Sequence, residues 1–154
     1  MILLKSLIKE IDNGKDTPKI LWNEFDTLQE DTIETVFQPK TPNAKLELKL
    51  EMYEISIPDG SHIIGRYKGV YVENIIDPMA GEVFYVESKN QQKGIGLSLF
   101  KDALDLLKSL KKDKVVLTGI HTVSGKGLIN SVIRNGFLGK KLGQFDSATE
   151  VYAL

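Results

Sequence analysis

Apolar residues recur every three to four positions in the first part of the chain and every second position further on. The spacing predicts a short amphipathic helix from Leu3 to Ile11 and a second helix from about Lys19 to Phe37. The prolines within Gln38 to Asn43 stop helical structure, because proline lacks a backbone donor and restricts the residue before it. The chain therefore divides into a helical front, residues 1–45, and a mixed remainder.

The mixed remainder begins with the alternation of apolar and polar residues that is typical of β-strands. One strand is predicted from Leu46 to about Ile57 and a returning strand from Ile63 to Val72, joined through turn residues at Pro58 to Ser61. A third strand is predicted from Glu82 to Ser88. The short apolar run from Val115 to Ile120 indicates a buried strand.

Two helices are predicted between and after these later strands. The first begins at Leu97, and the second runs from Gly127 to Asn135, where Gly136 supplies a left-handed cap. A strand, a turn, a helix and a strand in succession form a crossover unit, so part of the sheet is expected to be parallel. The tail from Phe137 to Leu154 offers two further strands. We expect an α/β fold with a mixed central sheet of about six strands, antiparallel hairpins plus a parallel crossover, flanked by helices.

Composition limits the classes of protein to which this pattern can belong. With 154 residues, 42% of them hydrophobic, the chain suits a single domain over residues 1–154. The net charge of -1 gives no drive toward nucleic acid or an anionic membrane. No apolar stretch suits a signal peptide or a membrane span, so we expect a soluble cytoplasmic protein. The absence of cysteine excludes thiolate chemistry, and the two histidines lack partners at ligand spacing, so no metal site is expected.

The turn Gln91-Gln92-Lys93-Gly94-Ile95-Gly96 lies between the third strand and the helix that follows it. Such a turn directs several backbone N–H groups at one point, where the helix dipole also favours negative charge. Gly94 and Gly96 have no side chains that would keep a phosphate away from the backbone, and Lys93 adds a positive charge. The turn therefore indicates a site for a phosphate or a pyrophosphate.

The order of elements, together with Gln91, Gly94 and Gly96, resembles the GCN5-related N-acetyltransferase (GNAT) superfamily. The signature of that family is Arg or Gln, two variable residues, Gly, one variable residue, then Gly or Ala. Val86 and the pair Gly136-Phe137 match further family positions. The resemblance covers roughly residues 53–137. It implies a GNAT-like sheet and acetyl-coenzyme A as co-substrate, with an amine of a small molecule, a peptide or a protein as acceptor.

The resemblance also implies which residues hold the coenzyme. In the family, main-chain amides of this turn bind the pyrophosphate, and the acetyl carbonyl lies beside two parallel strands that separate, where a main-chain N–H can polarise it. Carried over to this chain, the predicted cofactor-binding residues are Val86, Gln91, Gln92, Lys93, Gly94, Ile95, Gly96 and Leu97.

Glu82 and His121 are the candidate catalytic bases. Glu82 stands where some relatives carry a general base, and the alternative is a solvated carboxylate at the end of a strand. His121 follows the apolar strand and has a suitable titration range, while a structural polar role is equally open. The tyrosine that acts as general acid in many relatives corresponds to Val132, so that role does not transfer. Lys126, predicted in a flexible turn, is a further candidate for a phosphate contact.

These residues support a first hypothesis and leave two others open. The first is an N-acyltransferase in which the amine attacks acetyl-coenzyme A directly in a ternary complex. Because Val132 replaces the tyrosine, a non-catalytic binding, structural or assembly protein of the same fold is the second. A general nucleotide-phosphate binder is the third. We expect the helical front, residues 1–45, to be the specificity surface or to bind a protein partner.

Overall fold

The computed structural model describes residue 33 and residues 37–89, 94–119 and 123–154. The predicted helices of the helical front, apart from Ile33 and Phe37, lie outside these residues. No described helix is both long enough and apolar enough to cross a lipid bilayer. The elements are β1 Lys45–Lys49, β2 Met52–Ser56, β3 His62–Arg66, β4 Tyr71–Val72, β5 Ile75–Ile76, β6 Ala80–Glu87, α1 Ile95–Ser109, β7 Lys114–Thr118, α2 Val123–Arg134, β8 Lys141–Asp146 and β9 Thr149–Ala153.

Seven of the strands form one mixed sheet in the order β1-β2-β3-β6-β7-β9-β8. Strands β6 and β7 are parallel and are joined through α1, whereas every other neighbouring pair of this sheet is antiparallel. The predicted α/β fold, with antiparallel hairpins and a parallel crossover, is therefore confirmed, with seven strands in place of about six. Strands β4 and β5 make a separate two-stranded sheet.

The first predicted strand is in fact two strands, because the chain turns at Leu50. This residue has a left-handed φ of 57° and is 77% exposed, although it continues the alternating apolar pattern. The turn places Leu48 opposite Tyr53, and both side chains point into the core. The predicted returning strand is also shorter, since β3 ends at Arg66 and β4 belongs to the other sheet.

Helix α1 covers one face of the sheet and builds the main core. Its apolar positions recur with the helical period and are fully buried, and the strands present every second residue to the same face. Gly81 of β6 brings helix and sheet close together, because a Cβ atom there would lie 2.4 Å from Leu107 Cδ2. A smaller cluster of Val70, Ala80, Val116 and Val151 is buried apart from the main core.

Helix α2 begins at Val123, four residues before the predicted start at Gly127. Lys126 therefore lies in a helix and the predicted flexible turn is wrong. Each glycine in a helix interior costs about 1 kcal/mol relative to alanine, which is why the sequence pattern argued for a later start. Packing outweighs this cost, since Ile129 and Val132 are buried in the main core.

The connector before β1 is held to α1 by a buried carboxylate. Asp102 is 2% exposed, and its two oxygens accept hydrogen bonds from the backbone N–H groups of Lys40 at 2.8 Å and Thr41 at 3.0 Å. The Thr41 hydroxyl also bonds with the hydroxyl of Ser98 on the same helix. A buried carboxylate is stable only when its oxygens have such partners, so the connector and the helix depend on each other.

Replacing Asp102 with alanine is expected to destabilise the protein by about 2–4 kcal/mol, because two backbone donors then lose their acceptor. Asp105→Ala, one turn along the same helix, removes a partly exposed pair with Lys101 and is expected to cost at most about 0.5 kcal/mol. Urea unfolding of both variants would measure the difference, and equal losses would contradict the proposed role of Asp102.

Candidate functional site

The two parallel strands of the sheet separate part of the way along β6. Their register runs from Ala80 opposite Lys114 to Val83 opposite Leu117. Beyond this point β6 continues to Glu87, still paired with β3 on its other side. Past Val83, β6 is no longer in register with any described residue of β7, and we call this divergence of the two strands the fork. The fork is the separation of parallel strands that the sequence resemblance implied.

A β-bulge shapes β6 at the fork. The register with β3 steps from Ile64 opposite Tyr85 to Gly65 opposite Val83, which leaves Phe84 as an extra residue in β6. Such a bulge bends the strand and redirects its backbone groups. The irregular geometry is the reason that β6 can leave β7 while it stays paired with β3.

A buried tyrosine on β2 stabilises the bulge. The Tyr53 hydroxyl donates a hydrogen bond of 2.7 Å to the carbonyl oxygen of Glu82. Burial, and then the Glu82 carboxylate, raises the pKa of Tyr53 well above its usual range, so the hydroxyl stays a donor. Only glycine fits at position 65, because a Cβ atom there would lie 1.8 Å from the same carbonyl oxygen.

Glu82 belongs to β6 and lies next to the fork. Its side chain is 15% exposed, and its Oε2 accepts a hydrogen bond of 2.9 Å from Thr118 Oγ1. Arg66 Nε lies 3.5 Å from Oε1, and the guanidinium group stacks over the ring of Phe84 at 5.8 Å. Glu82 is thus an oriented carboxylate, and the alternative of a solvated carboxylate at the end of a strand is wrong.

The N-terminus of α1 carries features that suit an anion. Gly94 precedes the helix with a left-handed φ of 88°, and no atom of the described residues lies within 4 Å of the place that a Cβ atom would take there. Within the described part of the chain, the helix has no side-chain cap, and its first turn holds no acidic residue. The first N–H groups of a helix have no acceptor within the helix, so they and the dipole present positive charge here. The predicted contacts Gln91, Gln92 and Lys93 lie outside the described residues.

The remaining predicted residues fall in different places. Val86 is half-buried in the part of β6 that lies beyond the fork, and Gly96 faces Leu128 of α2, which a Cβ atom at position 96 would contact at 3.7 Å. Val132 is fully buried and belongs to the main core. His121 lies outside the described residues.

Lys126 lies on a different side of α2 from the residue that faces the start of α1. Leu128 is the α2 residue that faces the start of α1 at Gly96, and two residues along a helix turn the side chain to roughly the opposite side. Lys126 instead lines a cavity between α2, β8 and β9. No group of three or more potential ligands for a metal ion occurs among the described residues.

Sequence reasoning missed the partners of Glu82. Thr118 lies two residues beyond Val116, which is in register with Glu82, and Arg66 is in register with Glu82 on the other side. These three side chains share a face of the sheet only because the strands pair in this register. Because these residues are far apart along the chain, no local sequence pattern predicts that they meet.

No protein-family model matches the chain, and no curated protein matches it. Solved structures similar to it include the anti-CRISPR protein AcrVA5, with 17% identity over 66% of this chain and 98% of that chain and a TM-score of 0.46. The PaiA N-acetyltransferase from Thermoplasma acidophilum, in complex with coenzyme A, has 16% identity over 66% of this chain and 58% of that chain, with a TM-score of 0.43. The ribosomal-protein-S18-alanine N-acetyltransferase from Escherichia coli has 12% identity over 82% and 76% of the two chains, with a TM-score of 0.40.

The alignment spans less than two thirds of the PaiA chain, at 58%. In fold the chain is GNAT-like, with a mixed seven-stranded sheet whose single parallel pair is joined through α1.

Proposed function

We propose that the protein is an acetyl-coenzyme A-dependent N-acyltransferase in which an acceptor amine attacks the thioester directly in a ternary complex. The observation that supports this function is one strand, β6, that borders the fork and then leads to the open N-terminus of α1. The fork offers unpaired strand backbone to an acyl group, and the helix offers N–H groups to a pyrophosphate. A coenzyme A thioester carries both groups, an acyl thioester and a pyrophosphate, separated by its pantetheine arm.

The chain's own residues suit the coenzyme at the helix end. The absence of a side-chain cap and of acidic residues leaves the N–H groups of Ile95, Gly96 and Leu97 suited to phosphate oxygens. The space around Gly94 admits a phosphate close to the backbone. Gln91, Gln92 and Lys93 would complete the loop, and Val86 would contact the coenzyme where β6 passes the fork. When bound, the coenzyme supplies an activated acyl carbonyl.

Glu82 is the proposed general base. Thr118 and Arg66 orient its carboxylate beside the fork, where it would accept the proton that the amine loses. Backbone N–H groups of β6 beyond Val83 would polarise the acyl carbonyl. His121 is the second candidate base. The proton for the departing thiolate must come from a group other than the residue at position 132, because the side chain of Val132 is a hydrocarbon with no acidic proton.

A non-catalytic coenzyme A-binding role is the second candidate, with a structural or assembly function. The observation that favours it is that both carboxylate oxygens of Glu82 already face partners within the protein, Thr118 and Arg66. A base held in this way must give up part of that network to receive a proton. The binding site at α1 is the same in both proposals, and only turnover separates them.

Gly94→Asp is expected to weaken binding of acetyl-coenzyme A by at least about 30-fold, because a carboxylate would repel the pyrophosphate. Gly94→Asn is the matched control, since asparagine has nearly the same shape and also tolerates a left-handed φ. Isothermal titration calorimetry of both variants measures the effect of the charge. Equal affinities would refute the site, and equally strong competition by ATP would favour a general phosphate binder.

Glu82→Gln is expected to lower turnover by about 10²- to 10⁴-fold without changing the affinity for acetyl-coenzyme A, because an amide cannot accept the proton. Glu87→Gln, on the same strand but past the fork, is expected to retain wild-type turnover. Thiol release over a panel of amines provides the measurement. Wild-type binding without thiol release would support the non-catalytic role, and full activity of Glu82→Gln would exclude Glu82 as the base.

A further inference from the structure

A cavity of about 260 Å³ lies between α2, the end of β7 and the hairpin of β8 and β9. Its apolar walls come from Leu117, Ile129 and Tyr152, each of which is at most 8% exposed. The other five lining residues are polar: Lys126, Asn130, Gln144, Ser147 and Glu150. A concave site that combines an apolar wall with converging polar groups can hold a small molecule.

The acidic group of the cavity is already neutralised. Glu150 Oε2 accepts a hydrogen bond of 3.0 Å from Lys141 Nζ, and its Oε1 accepts one of 3.2 Å from the Tyr152 hydroxyl. Lys141 also donates to the side-chain oxygen of Gln144. The net charge of the two lysines, Lys126 and Lys141, and of Glu150 is +1. This positive net charge favours an anion in the cavity.

The groups that remain available are mostly donors. The side chains of Lys126, Asn130 and Ser147 make no hydrogen bond or ion pair with any residue that the structure describes. Lys126 and Asn130 are four residues apart on α2, so they share one face of the helix. An ammonium, an amide and a hydroxyl group can all donate to the same pair of carboxylate oxygens.

We propose that this cavity is a second binding site, for a small carboxylate with a short apolar body. The carboxylate would accept hydrogen bonds from Lys126, Asn130 and Ser147, and the apolar body would pack on Leu117 and Ile129. The apolar walls distinguish this ligand from inorganic phosphate, which has no apolar part to bury.

The cavity and the proposed coenzyme site lie on different sides of α2. Leu128 faces the start of α1 at Gly96, whereas Lys126, Ile129 and Asn130 line the cavity. The second site therefore does not depend on coenzyme binding, and each can be tested while the other is disabled.

Titration of the ¹⁵N-labelled full chain with sodium butyrate, at constant ionic strength, tests the proposal by NMR. Butyrate is expected to shift the amide signals of Asn130 and Ser147 saturably, whereas n-butylammonium chloride and sodium phosphate are not. Lys126→Gln is expected to weaken butyrate binding by at least about tenfold, because a charged hydrogen bond is lost. Lys108→Gln, with the same change of charge on α1, is expected to leave it unchanged.

Three results would overturn the proposal: no saturable shift with butyrate, an equal response to n-butylammonium or phosphate, or undiminished binding by Lys126→Gln. The amide spectrum of each variant shows whether it is folded, so a folding defect is not mistaken for lost binding. Gly94→Asp is expected to bind butyrate as the wild type does. Loss of butyrate binding in that variant would place butyrate at the coenzyme site and contradict a second site. If the wild type binds butyrate but no coenzyme A, only the proposed function is refuted.

Discussion

The packing of α1 on the sheet, mainly against β2, β3 and β6, is the contact on which the other features of the structure depend. A helix that joins two parallel strands packs back onto their sheet, and here its buried face is continuous from Leu99 to Leu107. Gly81 allows a close approach, since any side chain there would overlap Leu107. This packing fixes where α1 begins, and therefore where its N–H groups and dipole point.

The fork follows from the same arrangement. Strand β7 leaves β6 after Leu117, while β6 is held by β3 and by the bulge at Phe84. Tyr53 and Gly65 stabilise the bulge through the carbonyl oxygen of Glu82, the same residue whose carboxylate lies beside the fork. Backbone geometry and the position of the candidate base are thus coupled through one residue.

Helix α2 separates two environments. The side that includes Leu128 packs against the start of α1, and the side that includes Lys126 and Asn130 lines the cavity. Its glycines lower its intrinsic helix propensity, so the burial of Ile129 and Val132 must stabilise it. A helix with low intrinsic propensity thus forms because its buried face packs on the core, and its two other sides remain distinct.

The sequence by itself determined the order of the elements and the crossover, because apolar periodicity, turn residues and glycines are local signals. It also predicts an anion site at Gly94, since a glycine turn between a strand and a helix has a defined geometry. Only the tertiary structure decided that Leu50 turns the chain, that Asp102 holds the connector, and that Thr118 and Arg66 orient Glu82. These contacts join residues that are distant along the chain, and strand register and helix packing, which no local pattern encodes, bring them together.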